Sequence, residues 1–216
     1  MTLADIKQKV RMVGLHHFGG KQDLDPFGLE YLILETANEI ARRTDCLFGR
    51  RYLDLTAGQA EYCSPDVYRI RGVFLLDTTQ NVYRRMLLMN FADRKVDRIR
   101  EDNSQTSLDT AILYGMNKVG FFPNPTDAVT NGIMLEGYCQ PGSIWQYDIS
   151  GNPVALSDSH ECPLPNVSHD CLVYGVLAAR AMQMMEPQVL AMYKAEYLER
   201  LGMVEGWAAT YARRTV

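Results

Sequence analysis

The most apolar stretch of this chain lies near its end, from Cys171 to Met185, with few polar interruptions. A helix on a protein surface keeps one polar face, whereas this segment would be apolar nearly all round. It is also too short to be taken as a membrane span. We therefore predict a central, buried helix, entered through Pro163-Leu-Pro165 and capped by Asn166 or Ser168.

Helical spacing predicts two helices before this one and a last helix after it. Thr2 followed by Asp5 matches a capping box, and the helix it opens is expected to stop at Gly14. Asp25-Pro26 suits the start of a second helix that runs to about Thr44. The residues expected on the main apolar face of this second helix are Phe27, Tyr31, Leu34, Asn38 and Ala41, and those expected to widen it are Leu32, Ile33, Ala37 and Ile40. Pro187 suits the first turn of the last helix, whose continuation Gly202 and Gly206 are expected to weaken.

Between the helices, β-branched and aromatic residues alternate with turn residues, which is typical of strands joined by tight turns. The predicted strands are Arg50–Thr56, Glu61–Cys63, Val67–Leu76, Val82–Leu88, a pair within Ala111–Phe122 that breaks near Gly115, and Gly132–Cys139. Asp77–Asn81 reads as a polar turn, and Phe91–Arg100 as a short charged helix.

Helices segregated from antiparallel strands predict the α+β class, with a helical bundle built from the N- and C-terminal helices and an inserted antiparallel β section. The predicted domain organisation has four parts. Residues 1–48 hold the N-terminal helices of the bundle, and residues 49–145 the inserted antiparallel β section with one short charged helix. Residues 146–165 form a long loop, and residues 166–216 the C-terminal helices that complete the bundle.

Composition narrows the class of protein. Apolar residues make up 47% of the chain and charged residues 22%, as in globular proteins. A net charge of -4 disfavours a general nucleic-acid binder, whose affinity comes mainly from neutralising phosphates. Five scattered cysteines and an N-terminus unlike a signal peptide favour a soluble protein made in a reducing cytosol.

Two histidine–cysteine pairs are the candidate chemistry. His160 and Cys162 are two residues apart, as are His169 and Cys171. Zinc sites usually use longer spacers, and helical residues two apart point in different directions, so we expect no metal and no cofactor. One alternative hypothesis stays open, a small intracellular enzyme with a site in the loops between sheet and bundle near His160, Cys162 and His169. A second is a monomeric binding module.

The order of several motifs resembles one known family. Helix Pro26–Thr44 is followed by Tyr52-Leu-Asp-Leu-Thr-Ala-Gly-Gln-Ala-Glu-Tyr62 and then by Ser64-Pro65-Asp66-Val67-Tyr68-Arg69-Ile70. Phe122-Pro-Asn-Pro125, Tyr138-Cys-Gln-Pro141 and the proline-led, alanine-rich helix ending near Ala181 come later. This arrangement is similar to that of the head-to-tail adaptor (connector) proteins of tailed bacteriophages, although Ser64 stands where the family has Leu.

The resemblance implies a structural virion protein without catalytic residues. Such adaptors form a homo-oligomeric ring, usually of twelve copies, beneath the portal protein and continue the DNA channel to a tail or nozzle protein. Packaged double-stranded DNA would pass through without sequence-specific binding, and no membrane would be involved. The expected location is the virion neck at the head-tail interface, after synthesis in the host cytoplasm.

Two candidate interfaces follow. The C-terminal segment with Trp207, Tyr211, Arg213 and Arg214 is expected to dock on the portal, because exposed aromatic residues with arginine are typical interface anchors. The turn formed by Asp77, Thr78, Thr79, Gln80 and Asn81 is expected to face the next tail component or the lumen.

Overall fold

Helices at both ends of the chain enclose a run of strands in sequence, which confirms the α+β class. The computed structural model describes residues 1–18, 26–91, 110–141 and 158–214. Residues 1–47 and 140–216 form a helical unit, and residues 48–139 form a β unit.

The helical unit is organised around its third helix. Its elements are α1 (Leu3–Phe18), α2 (Pro26–Thr44), a 3-10 turn (Asn166–Ser168), α3 (His169–Gln183) and α4 (Pro187–Arg214). Helix α3 contacts α1, α2 and α4. Its residues Cys171, Leu172 and Val176 are completely inaccessible to solvent. The predicted central helix is therefore confirmed.

The apolar sequence of α3 extends further along the chain than its buried part. Ala181 is fully buried, but Met182 is 70% exposed and Met185, just beyond the helix, 88% exposed. The N-terminal cap also differs from the prediction. The Ser168 hydroxyl donates to the Pro165 carbonyl oxygen (2.6 Å), and neither Ser168 nor Asn166 caps the amides of α3 with its side chain.

The start of α1 is confirmed in atomic detail. The Thr2 amide donates to Asp5 Oδ2 (2.8 Å), and the Asp5 amide donates to Thr2 Oγ1 (3.2 Å), as in a capping box. Hydrogen bonds from the amide and the side chain of Thr2 lower the pKa of the Asp5 carboxyl. The predicted stop at Gly14 is wrong, because α1 continues to Phe18.

Two glycines bring helices close together. A Cβ atom added to Gly14 would lie 3.0 Å from Leu177 Cδ2, so this glycine lets α1 approach α3. A Cβ atom on Gly175 would lie 2.5 Å from Thr36 Cγ2 and 3.0 Å from the Tyr197 ring. Gly175 therefore lets α3 pack directly against α2 and α4, because a larger residue at this position would not fit.

Helix α2 has the predicted bounds and buries most of the predicted apolar face. Ile33, Leu34 and Ala41 are buried as expected, whereas Tyr31, which was expected on the same face, is 62% exposed. Helix α4 runs past Gly202 and Gly206 to Arg214, so the weakening predicted there does not end the helix. Buried Val204 and Ala208 hold this part of α4 on the core, which outweighs the low helix propensity of glycine.

The described residues of the β unit form two four-stranded sheets. Its strands are β1 (Phe48–Leu55), β2 (Glu61–Cys63), β3 (Val67–Asp77), β4 (Val82–Arg85), β5 (Leu87–Asn90), β6 (Thr110–Leu113), β7 (Lys118–Phe122) and β8 (Val129–Cys139). The first sheet has the order β1-β8-β3-β4, and the second has the order β2-β7-β6-β5.

Two features of the β unit depart from the predicted antiparallel section. The strand expected over Val82–Leu88 is divided at Met86, so β4 joins the first sheet and β5 the second. Strands β5 and β6 are parallel. A parallel pair needs a crossover of about a dozen residues or more, and residues 91–109 supply that length. Except for Phe91, the predicted helix Phe91–Arg100 lies outside the described residues. Most of the predicted long loop, residues 146–165, also lies outside them.

We predict opposite effects of adding one methyl group at two helical glycines. Gly175→Ala should lower the free energy of unfolding by about 1–3 kcal/mol, because the new Cβ overpacks the contact with Thr36 and Tyr197. Gly202→Ala should raise it by about 1 kcal/mol, because no described atom lies within 4 Å of its Cβ position and alanine favours helix. Denaturant unfolding of both variants measures the difference, and equal effects would contradict it.

Candidate interface surfaces and candidate chemistry

The C-terminal end of α4 carries a stacked aromatic pair. The rings of Trp207 and Tyr211 lie 5.3 Å apart between centroids with an angle of 13° between their planes. Residues four apart share one side of a helix, which brings the two rings together. Trp207 is half-buried against the helical core, whereas Tyr211 is 53% exposed. Arg213 and Arg214 lie in the last turn of α4, and the structure describes their backbone.

The turn between β3 and β4 is held by one carboxylate. Asp77 Oδ1 accepts hydrogen bonds from the amides of Thr79 (2.9 Å) and Gln80 (3.1 Å), and Asp77 Oδ2 pairs with Arg84. Asn81 has a φ of 53°, a left-handed conformation that asparagine tolerates better than most residues. The turn therefore presents the exposed residues 78–81 on a well-bonded frame.

The first histidine–cysteine pair, His160 and Cys162, lies in a segment that forms backbone hydrogen bonds with the first residues of the chain. The Leu3 amide donates to the His160 carbonyl oxygen (2.9 Å), and the Cys162 amide donates to the Met1 carbonyl oxygen (2.9 Å). Nearby, Lys7 Nζ binds Glu30 Oε1 and Asp158 Oδ1, both at 2.6 Å, which joins α1 to α2 and to this segment. Burial disfavours the charged form of Lys7, but the two carboxylates outweigh it and raise its pKa. These contacts give the segment a structural role.

The second pair is also occupied by structural contacts. The ring of His169 is buried, and its Nε2 lies 3.1 Å from the Leu164 carbonyl oxygen. A carbonyl oxygen can only accept, so Nε2 carries the proton. Cys171 Sγ lies 3.9 Å from the Tyr197 carbonyl oxygen of α4. Within the described ranges, no group of three or more His, Cys, Asp or Glu side chains could hold a metal ion.

Burial suppresses the reactivity of the two candidate thiols. It raises the pKa of Cys162 to about 11 and that of Cys171 to about 12. The thiolate is the nucleophilic form of cysteine, so both side chains are almost fully protonated at neutral pH. The arrangement is that of core cysteines and does not resemble an activated nucleophile.

Comparison with known proteins decides the family. A family model described as SU10 adaptor protein matches residues 1–216, which is the whole chain. The chain belongs to the SU10 adaptor protein family. No curated protein matches it. The resemblance to phage head-to-tail adaptors, which rested on the order of motifs in the sequence, is confirmed at the level of the family.

The chain is thus a structural adaptor protein of a bacteriophage. None of its described helices combines the length and the apolarity that crossing a bilayer requires. For such a protein the functional residues are on surfaces. The first sheet also exposes the aromatic residues Phe48 and Tyr52, which could not be predicted to share a surface because strand register brings them together and leaves no local motif.

Acid should destabilise the adaptor through His169. Burial lowers the pKa of this residue below its ordinary value of 6.5, so in mild acid the unfolded chain binds a proton that the folded chain does not. The free energy of unfolding should therefore fall as the pH drops through 6.5, and this contribution should level off below the folded-state pKa.

We predict that His169→Gln removes this part of the pH dependence. The glutamine amide can still donate to the Leu164 carbonyl oxygen but does not titrate. Denaturant unfolding of both proteins at about pH 7.5 and about pH 5 measures the difference, and the unchanged carboxylates cancel in the comparison. Identical losses on acidification would contradict the assignment.

Proposed function

We propose that the adaptor assembles as a ring of twelve copies in the virion neck, beneath the portal, and continues the DNA channel to the tail. The match of the family model over the full length of the chain carries this proposal. Its partners are then the portal protein above and a tail or nozzle protein below. Synthesis takes place in the host cytoplasm, before assembly.

The charge of the chain agrees with a passive channel. With a net charge of -4, it lacks the basic surplus that binds phosphates tightly. DNA that must slide through a neck gains nothing from a tight grip on its backbone. Double-stranded DNA therefore passes through the ring without sequence-specific binding.

Reconstruction of intact particles tests the ring. The expected result is density for twelve copies directly beneath the portal, into which both the helical unit and the β unit can be fitted. Particles in which this chain is missing from the neck would refute the proposal. The same reconstruction shows whether Asp77, Thr78, Thr79, Gln80 and Asn81 face the next tail component or the lumen, as we propose.

The proposed portal contact is the end of α4. Tyr211 is exposed and stacks on Trp207, which is itself held by the helical core, so the pair is preorganised for binding. Arg213 and Arg214 add positive charge at the same end of the chain. Aromatic residues and arginine dominate the binding energy of many interfaces.

We predict that a chain truncated after Thr210 folds normally but leaves full heads without tails. The truncation keeps Val204, Trp207 and Ala208, so the core contacts of α4 and the thermal midpoint should stay nearly unchanged. Counting tailed particles made with the truncated adaptor measures the effect. Met12→Ala is the matched control, because it removes an apolar side chain that is 64% exposed on α1. Tailed particles at the wild-type yield would contradict portal docking by this segment.

A further inference from the structure

The two faces of the first sheet differ sharply. Val73, Ile133 and Leu135 point to one face and are completely buried. Residues paired across neighbouring strands share a face, so the register assigns a second, different set to the opposite side. This set, which we name the aromatic face, comprises Phe48, Arg50 and Tyr52 of β1, Met134, Glu136 and Tyr138 of β8, Arg69, Gly72, Phe74 and Leu76 of β3, and Tyr83 and Arg85 of β4. Met134 is buried beneath its neighbours.

Contacts within the aromatic face are close and ordered. The rings of Tyr52 and Tyr83, from the two edge strands, lie 5.7 Å apart, and Phe48 meets Tyr138 edge-on at 5.4 Å. The guanidinium carbon of Arg69 lies 4.7 Å from the centre of the Tyr138 ring. Phe48 is 46% exposed and Tyr52 49% exposed. A soluble protein rarely leaves so many aromatic residues together in solvent without a partner.

The aromatic face is also positively charged. Arg50 pairs with Glu136 at 3.1 Å, and the exposed Arg85 adds a positive charge on β4. Arg71, exposed at the bulge of β3, adds another cation 5.9 Å from the Tyr138 ring. By contrast, the sequence of the helical unit has fifteen acidic and eleven basic residues. A second copy of this chain therefore carries charge complementary to the aromatic face.

Helix α4 offers the matching surface. Its outer side exposes Met192 (41%), Leu198 (46%) and Met203 (57%), flanked by the exposed acids Glu199 and Glu205. Gly202 and Gly206 lie among them, and no described atom comes within 4 Å of either Cβ position. Each glycine costs the helix about 1 kcal/mol relative to alanine. Their benefit is a flat surface that another chain can approach closely.

We propose that the outer side of α4 in one copy docks on the aromatic face of the first sheet in the next copy. This inference rests on the proposed ring and specifies its subunit contact. Every copy carries both surfaces, so the contact is head-to-tail, and such contacts generate closed rings when the rotation closes. Met, Tyr, Phe and Arg are the residues that interfaces favour, and Glu199 and Glu205 supply partners for the arginines.

Site-specific photo-crosslinking in assembled particles tests the contact. A photoreactive residue that replaces Tyr52 should link two copies of this chain, with the attachment point between residues 191 and 209 of the second copy. The matched control is the same residue at Met12, which should give no link to that segment. Links from position 52 to the portal, to a tail protein or to another segment of this chain would overturn the proposal. Particle imaging tests the ring independently, so a ring without this crosslink refutes the contact alone.

A charge exchange provides the second test. Arg71→Glu with Arg85→Glu, or Glu199→Arg with Glu205→Arg, should each weaken ring assembly at least about tenfold, because like charges then meet across the contact. Combining all four changes in one chain should restore assembly. Mixing the two double variants should also restore it, as an alternating ring with an even number of copies. Failure of both restorations, with thermal midpoints equal to that of the wild type, would overturn the proposal.

Discussion

The burial of α3 on nearly all sides constrains every other part of the helical unit. Its solvent-inaccessible residues need apolar partners all around, and α1, α2 and α4 provide them from both ends of the chain. Burying these side chains removes apolar surface from water, at about 25 cal/mol for each Å². Because the surrounding helices come from distant parts of the sequence, the strands between them can only be an insertion. Gly14 and Gly175 make the arrangement tight, because any side chain at these positions would separate the helices.

Much of this fold could be predicted from local pattern. The apolar run predicted α3, and Asp25-Pro26 predicted the start of α2. Segments of β-branched and aromatic residues between turn residues predicted most of the strands. Glycine was the recurrent source of error. Gly14 lies inside a helix because it faces Leu177, and Gly202 is tolerated because buried residues on either side hold α4 to the core. Whether a glycine ends a helix depends on its tertiary neighbours, and the local sequence does not contain them. The prediction that Tyr31 is buried was wrong for a related reason. The side of α2 that becomes buried depends on how α2 packs against α3, and this packing cannot be read from the α2 sequence alone.

One candidate surface could be predicted from local sequence and the other could not. The contact between Trp207 and Tyr211 follows from their spacing, because residues four apart on a helix are neighbours. The aromatic face could not, because its members come from four strands that are joined by register. Bulges between Val67 and Arg69 and between Ile70 and Gly72 shift that register within β3. A shift of one residue would move each side chain to the other face, so sequence alternation leaves the composition of the face undetermined.

The division between core and surface also accounts for the candidate chemistry. His169 and Cys171 contact the carbonyl oxygens of Leu164 and Tyr197 in the helical unit, and burial keeps Cys162 and Cys171 as thiols. An adaptor acts through equilibrium contacts with other chains, so its specific chemistry must be exposed before assembly. Leu198 and Met203 leave much of their apolar surface in water in a single copy, and Gly202 and Gly206 weaken the helix that carries them. In the contact that we propose, a neighbouring subunit covers these residues and offsets both costs.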